Sequence, residues 1–163
     1  MRLKIDELRG LQAELDARIF FQHATSRGAT RIDRCLALCV EIGELANETR
    51  CFKYWSVRSS SPKDVLLEEL EDSIHFLLSL GIDLDDPSES IEGQDDHQDL
   101  SVTFLNFYRA SIRLLDDFTL ETYFACFKFI CILAEKLEFS ESDLVTYYLR
   151  KNEKNHQRQD THY

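Results

Sequence analysis

Four acidic side chains stand in two pairs of equal spacing. Glu41 and Glu44 interrupt the stretch Arg34-Cys-Leu-Ala-Leu-Cys-Val-Glu41-Ile-Gly-Glu44-Leu-Ala-Asn-Glu48, and Glu69 and Asp72 lie within Leu66-Leu-Glu68-Glu69-Leu-Glu71-Asp72-Ser-Ile-His75-Phe76. Residues three apart share one face of a helix. At about 100° per residue, positions 41, 44 and 48 fall in a stripe about 60° wide, flanked by Val40 and Ile42. Nearly everything else between Cys35 and Ala46 is apolar or small, so this helix belongs inside on most of its sides. Carboxylates brought together away from water are costly unless a cation neutralises them. On the second stretch the helical wheel groups Glu69 and Asp72 with Val65, Phe76 and Leu80. It sends Glu68, Glu71 and His75 to another side, read as solvent-facing.

One E-x-x-E alone ordinarily marks a solvated helix face, because Glu is a good helix former. Two such pairs among apolar neighbours on successive helices instead describe an all-oxygen pocket. Such a pocket suits Mg²⁺, with Mn²⁺ as a substitute. With no nucleophilic side chain in the set, the chemistry it fits is hydrolysis: a divalent ion polarises a phosphoryl group, and water attacks. Something must then grip the rest of a polyphosphate. Lys53, in Phe52-Lys53-Tyr54-Trp55, follows the first carboxylate helix. Lys151, Asn155 and Arg158 recur at i, i+4 and i+7 as one face of donors. The bland reading of that last face is a frayed basic tail. Trp55, the sole tryptophan, is either a stacking surface for a base or plain core.

The elements that must position these groups are helices. The 163 residues contain five Gly and two Pro, too few for the turn every ~8–12 residues of an all-β chain. Apolar residues at Ile5, Leu8, Leu11, Leu15 and Ile19 give a three-and-four rhythm from Leu3 to about His23. Gly28 and Thr30 punctuate a start near Arg31 for a second helix ending about Arg50. A third opens at Ser61 or Pro62 and is expected to stop at Gly81. Residues 83–99, rich in Asp, Ser and Glu, read as a mobile acidic connection. Two further helices are expected over about 100–115 and 120–137, with Ser140 capping the last. This gives an all-α, single-domain chain (1–163) with a helical-bundle core of about six helices.

Charge narrows the function. The 19 Lys and Arg against 30 Asp and Glu give a formal charge of −11, which repels phosphate backbones and anionic lipid heads. Neither nucleic acid nor a membrane is an expected partner, and no run approaches the ~18 apolar residues of a membrane span. The five cysteines are odd in number and include no C-x-x-C pair. They read as free thiols, and with an N-terminus unlike a secretory signal they point to the cytoplasm.

The blocks Glu41-Ile-Gly-Glu44, Phe52-Lys53-Tyr-Trp55, Leu67-Glu-Glu69-Leu-Glu-Asp72-Ser-Ile-His75-Phe76 and Lys151-Asn152-Glu-Lys-Asn155-His156-Gln-Arg158-Gln resemble the dimeric, all-α dUTPase family. That family belongs to the all-alpha NTP pyrophosphatases, whose signature is E-x-x-E, an intervening stretch, then E-x-x-D. Here 24 residues intervene. The resemblance implies a dUTP diphosphatase, a hydrolase making dUMP and pyrophosphate, with dUDP as a second substrate and a homodimer as its assembly. It implies that Glu41, Glu44, Glu69 and Asp72 ligate Mg²⁺, and that Glu41 also orients or deprotonates the attacking water. Lys53, Lys151, Asn155 and Arg158 would hold phosphates. Gln12 would meet the uracil edge, with Trp55 and Phe76 lining the base pocket. Tyr163 stands where the family's chain end usually reads Gly-Tyr and is given no role. The alternative is a pyrophosphatase of the same class acting on dCTP or a modified nucleotide.

Overall fold

The apolar rhythm of the sequence resolves into six helices in the computed structural model, which describes residues 1–95 and 97–160. They are α1 (Asp6–Gln22), α2 (Arg27–Thr49), α3 (Lys63–Asp83), α4 (Leu100–Asp116), α5 (Leu120–Lys136) and α6 (Glu141–Asp160). Two short strands, β1 (Arg2–Lys4) and β2 (Ser90–Glu92), pair antiparallel with Leu3 opposite Ile91. The expected all-α class and helix number hold.

Local chemistry explains where the helices begin and end. α2 starts at Arg27, earlier than the glycine and threonine suggested, because Ser26 caps it: its Oγ accepts from the Ala29 N–H at 3.3 Å. It ends on Arg50 in the left-handed conformation at φ 59°, whose N–H reaches back to the carbonyls of Ala46 and Asn47. α5 is opened by a reciprocal Thr119–Thr122 box. At α6 Ser140 Oγ accepts from the Asp143 N–H at 3.1 Å while Asp143 Oδ2 accepts from the Ser140 N–H at 2.9 Å.

Three further details depart from the expectation. The chain start is a strand, with α1 beginning only at Asp6. The acidic stretch 83–99 carries β2, and Lys136 fastens it through Asp95 and, at 2.8 Å, the Gln98 carbonyl. Gly81 does not stop α3, which runs on to Asp83. A Cβ at Gly81 would meet Tyr123 Oη at 2.3 Å, so this glycine serves the close approach of α3 and α5.

α3 is the central element, packed by α1, α2, α5 and α6, with its most extensive contact on α2. Leu67, Leu70, Ile74, Leu77 and Leu78 are buried along it and meet Phe127, Ile130 and Leu133 of α5 in one core. Burying each such side chain contributes about 1.5–3 kcal/mol, so the helix that carries Glu69 and Asp72 is held firmly. Among the described residues, no helix is long and apolar enough to cross a membrane.

Candidate active site

The α2–α3 contact puts the two acidic pairs face to face. Carboxylate oxygens of Glu41, Glu69 and Asp72 all lie within 4.8 Å of one another. Glu44 is more exposed and stands outside that trio, yet its charge still reaches both Glu41 and Glu69. Burial, then repulsion from Asp72, Glu44 and Glu69, pushes Glu41 up to about 7. Glu69 is likewise raised to about 7, by burial and then by Glu44 and Asp72. Burial also raises Asp72, against the pull of Lys151. Glu48, the third acid of the α2 stripe, is turned aside onto Ser61 Oγ and the Asn47 amide.

The cluster is thus short of positive charge. Lys151 Nζ supplies some, 2.7 Å from Asp72 Oδ2 and 3.1 Å from Glu68 Oε1. All the converging donors are carboxylate oxygens, the set a hard divalent cation takes. Raised carboxyls that would ionise on gaining a counter-charge fit such an ion.

Glu41, Glu44 and Asp72 open onto a cavity of about 600 Å³ between α1, α2, α3 and α6, which Glu69 does not line. Gln12, Glu41, Glu44, Asp72, Phe76, Lys151, Asn155 and Arg158 all line it. Lys151, Asn155 and Arg158 of α6 lie along one wall, and Arg158 Nη1 donates to Asn155 Oδ1 at 3.2 Å. Lys53 and Trp55 do not line this cavity. Lys53 Nζ donates to Asn47 Oδ1 at 2.6 Å, and Trp55 is 65% exposed, edge-on to Tyr54 at 5.0 Å in the loop between α2 and α3. Tyr163 lies outside the described residues.

Two side chains assigned to solvent are buried. Glu71 is fully enclosed under α6, neither carboxylate oxygen has a hydrogen-bond partner among the described residues, and burial pushes its carboxyl well up. His75 is enclosed as well, stacked on Tyr148 at 4.3 Å with Nδ1 2.7 Å from Gln12 Oε1, and burial pushes it down to about 3. His75 is therefore a neutral imidazole on the cavity wall. The reading also missed Asp16, Arg34 and Ser79, which line the same cavity. Positions 72, 75, 76 and 79 continue one helical stripe from the acidic pair, and that spacing was available to find Ser79, as well as to turn His75 inward. Deeper still, Arg34 Nη2 meets Asp83 Oδ2 at 2.6 Å, and the Arg34 guanidinium lies 5.8 Å from the Phe20 ring.

Comparison with known families gives one match covering nearly the whole sequence: the family model described as dUTPase fits residues 4–163. The chain belongs to the dUTPase family. No curated protein matches it. As an all-α member of the dUTPase family it is a hydrolase of nucleotide metabolism, a dUTP diphosphatase that binds a nucleotide and splits a phosphoric anhydride. The dUTPase family generally uses a divalent metal, and the trio of Glu41, Glu69 and Asp72 is the group of at least three such ligands found together among the described residues.

Proposed function

We propose that Glu41, Glu44, Glu69 and Asp72 hold Mg²⁺, replaceable by Mn²⁺, and that the chain converts dUTP to dUMP and pyrophosphate and dUDP to dUMP and phosphate. The observation that carries this reading is the arrangement of the cavity, with a carboxylate cluster on α2 and α3 and a row of cationic and amide donors on α6. When bound, the cation neutralises phosphate charge and polarises the phosphoryl group under attack. Glu41 accepts the proton of the attacking water, the part a carboxylate general base plays. Lys151, Asn155 and Arg158 bind phosphate oxygens. Gln12 meets the edge of uracil, and Phe76 lies against the ring. On this reading Lys53 and Trp55 reach the bound nucleotide from the loop between α2 and α3.

A homodimer belongs to the same proposal. Ile32, Leu36 and Val40 form an exposed row on α2, and Leu105, Ile112 and Leu115 form another on α4. The two helices pack on each other, so the rows stand on neighbouring elements. Paired apolar rows of this kind are the surface a second copy would cover. The five free cysteines, three of them buried, support a reducing compartment such as the cytoplasm.

Pyrophosphate release measured with dUTP, dCTP, dTTP and dATP, with and without Mg²⁺, tests the reading. A rate that depends on Mg²⁺ and is highest for dUTP is expected. Equal rates on all four would replace uracil selection with a general pyrophosphatase, and undiminished activity in excess chelator would remove the metal.

A further inference from the structure

Gln12 has three close polar neighbours. Its Nε2 donates to Asp16 Oδ1 at 2.7 Å, while Oε1 accepts from Tyr148 Oη at 3.0 Å and stands 2.7 Å from His75 Nδ1. A carboxamide can turn half a revolution about its last bond with no change of shape, exchanging an acceptor for a donor. His75 favours the orientation that leaves its proton on Nδ1, because its Nε2 is buried without a hydrogen-bond partner among the described residues, whereas Tyr148 tolerates either orientation, since a hydroxyl both donates and accepts. Asp16 does not, because a carboxylate only accepts. Its other oxygen, Oδ2, is engaged by Ser79 Oγ at 2.6 Å and Arg27 Nη1 at 3.0 Å, and Arg27 is itself braced on Asp83 at 3.2 Å. Asp16 is 5% exposed, so water does not compete for these bonds.

This asymmetry fixes the amide. Nε2 must face Asp16, so Oε1 faces His75 and Tyr148: it accepts the histidine proton on Nδ1 and shares the single Tyr148 hydroxyl hydrogen with the Leu8 carbonyl, 3.1 Å from Tyr148 Oη. What Gln12 has left, on a side chain lining the cavity, is one amide hydrogen. We infer that Asp16 is a positioning residue for base selection: it locks Gln12 so that the nucleotide is offered an N–H, matching a ring carbonyl and rejecting an exocyclic amine. The inference rests on the proposed contact between Gln12 and the base.

The isosteric variant Asp16→Asn tests it. Arg27 and Ser79 are donors and hold the new amide's oxygen, so its nitrogen faces Gln12 and turns that carboxamide over. The ratio of kcat/KM for dUTP over dCTP is expected to fall at least ~10-fold, since a site built for one hydrogen-bond pattern rejects the other strongly. In ¹⁵N spectra the His75 proton is expected to move from Nδ1 to Nε2, a change that mere loosening of α1 does not produce. Gln12→Leu separates the two claims. If it leaves the ratio unchanged, Gln12 does not read the base and both claims fall. If it lowers the ratio while Asp16→Asn keeps both ratio and tautomer, the contact stands and the role of Asp16 is overturned. Should Asp16→Asn fail to fold, the native protein still decides, because a His75 proton found on Nε2 refutes the locked orientation.

Discussion

Lys151 Nζ lies 2.7 Å from Asp72 Oδ2, tying the donor face of α6 to the acidic face of α3. Both side chains are largely shielded from water, so their hydrogen bond is worth more than a surface ion pair, about 1.5–3 kcal/mol. Lys151→Met is expected to lower thermal stability in chelator by an amount of that order. A divalent cation should restore most of the loss by taking over the charge on Asp72, while kcat/KM for dUTP stays at least ~10-fold down for want of a phosphate ligand. Differential scanning calorimetry with and without Mg²⁺ checks the first part and steady-state kinetics the second. A loss of stability indifferent to metal would refute the shared-charge account.

Glu41→Gln keeps the shape of the side chain and removes its basicity. Turnover is expected to drop at least ~10²-fold, within the range a general base contributes. Circular dichroism and melting temperature should stay near native or rise slightly, because a repelling carboxyl is gone. An active Glu41→Gln enzyme would eliminate the assigned role.

His75 makes stability depend on pH in a definite direction. Its folded value is about 3 and its ordinary value 6.5, the cause being burial. Above 6.5 the ring is neutral in both states and the full stability is present. As pH falls from 6.5 towards 3, the unfolded chain takes up a proton that the folded one refuses, so stability is lost at up to ~1.4 kcal/mol per pH unit. His75→Gln lacks this slope. Urea denaturation of both proteins at several pH values should show the native protein's advantage shrinking, or its deficit growing, on acidification; parallel curves would contradict a buried neutral ring.

Gly81→Ala drives a methyl group into Tyr123, whose Oη and Cζ lie 2.3 and 2.6 Å from the added carbon. Overpacking of this kind costs about 1–3 kcal/mol. Tyr123→Phe removes the nearer atom, so the double variant should recover part of the loss, and a double-mutant cycle in denaturant measures the coupling. Strict additivity would show that α3 and α5 do not depend on this contact.

Replacing Leu36 and Ile112 together by Asp places charge on both exposed apolar rows. If those rows pair two chains, light scattering should give twice the monomer mass for the native protein and about the monomer mass for the variant. A native protein that is monomeric at micromolar concentration would rule the dimer out.

Most of the scaffold was legible because helix periodicity and breaker scarcity are local properties. The acidic pairs were legible for a related reason: an acid at a position the wheel wants inside has few explanations. The misplacing of Glu71 and His75 came from one assumption, that α3 keeps a wet side. Glu68 does lie in water, but Glu71 and His75 are sealed by α6 and α1, because a central helix has neighbours all round and no wheel says which ones. Gly81 misled in the same way. A glycine late in a helix reads as a terminator, and only the Tyr123 ring, forty residues on, shows that it makes room. The start of α2 was placed late because Gly28 and Thr30 were taken as its punctuation, whereas Ser26 caps it. The α2–α3 loop carrying Lys53 and Trp55 has no periodicity to place it, and a motif alone does not locate a side chain in space.

The central place of α3 also sorts the parts of the molecule by how they are braced. Four helices pack on α3, which bears Glu69 and Asp72. α6 rests chiefly on α1 and α3, along the rim of the cavity. Glu69 and Asp72 thus stand on the helix with most neighbours and the donor row on one with fewer, so the two walls a nucleotide meets differ in how much of the protein stands behind them.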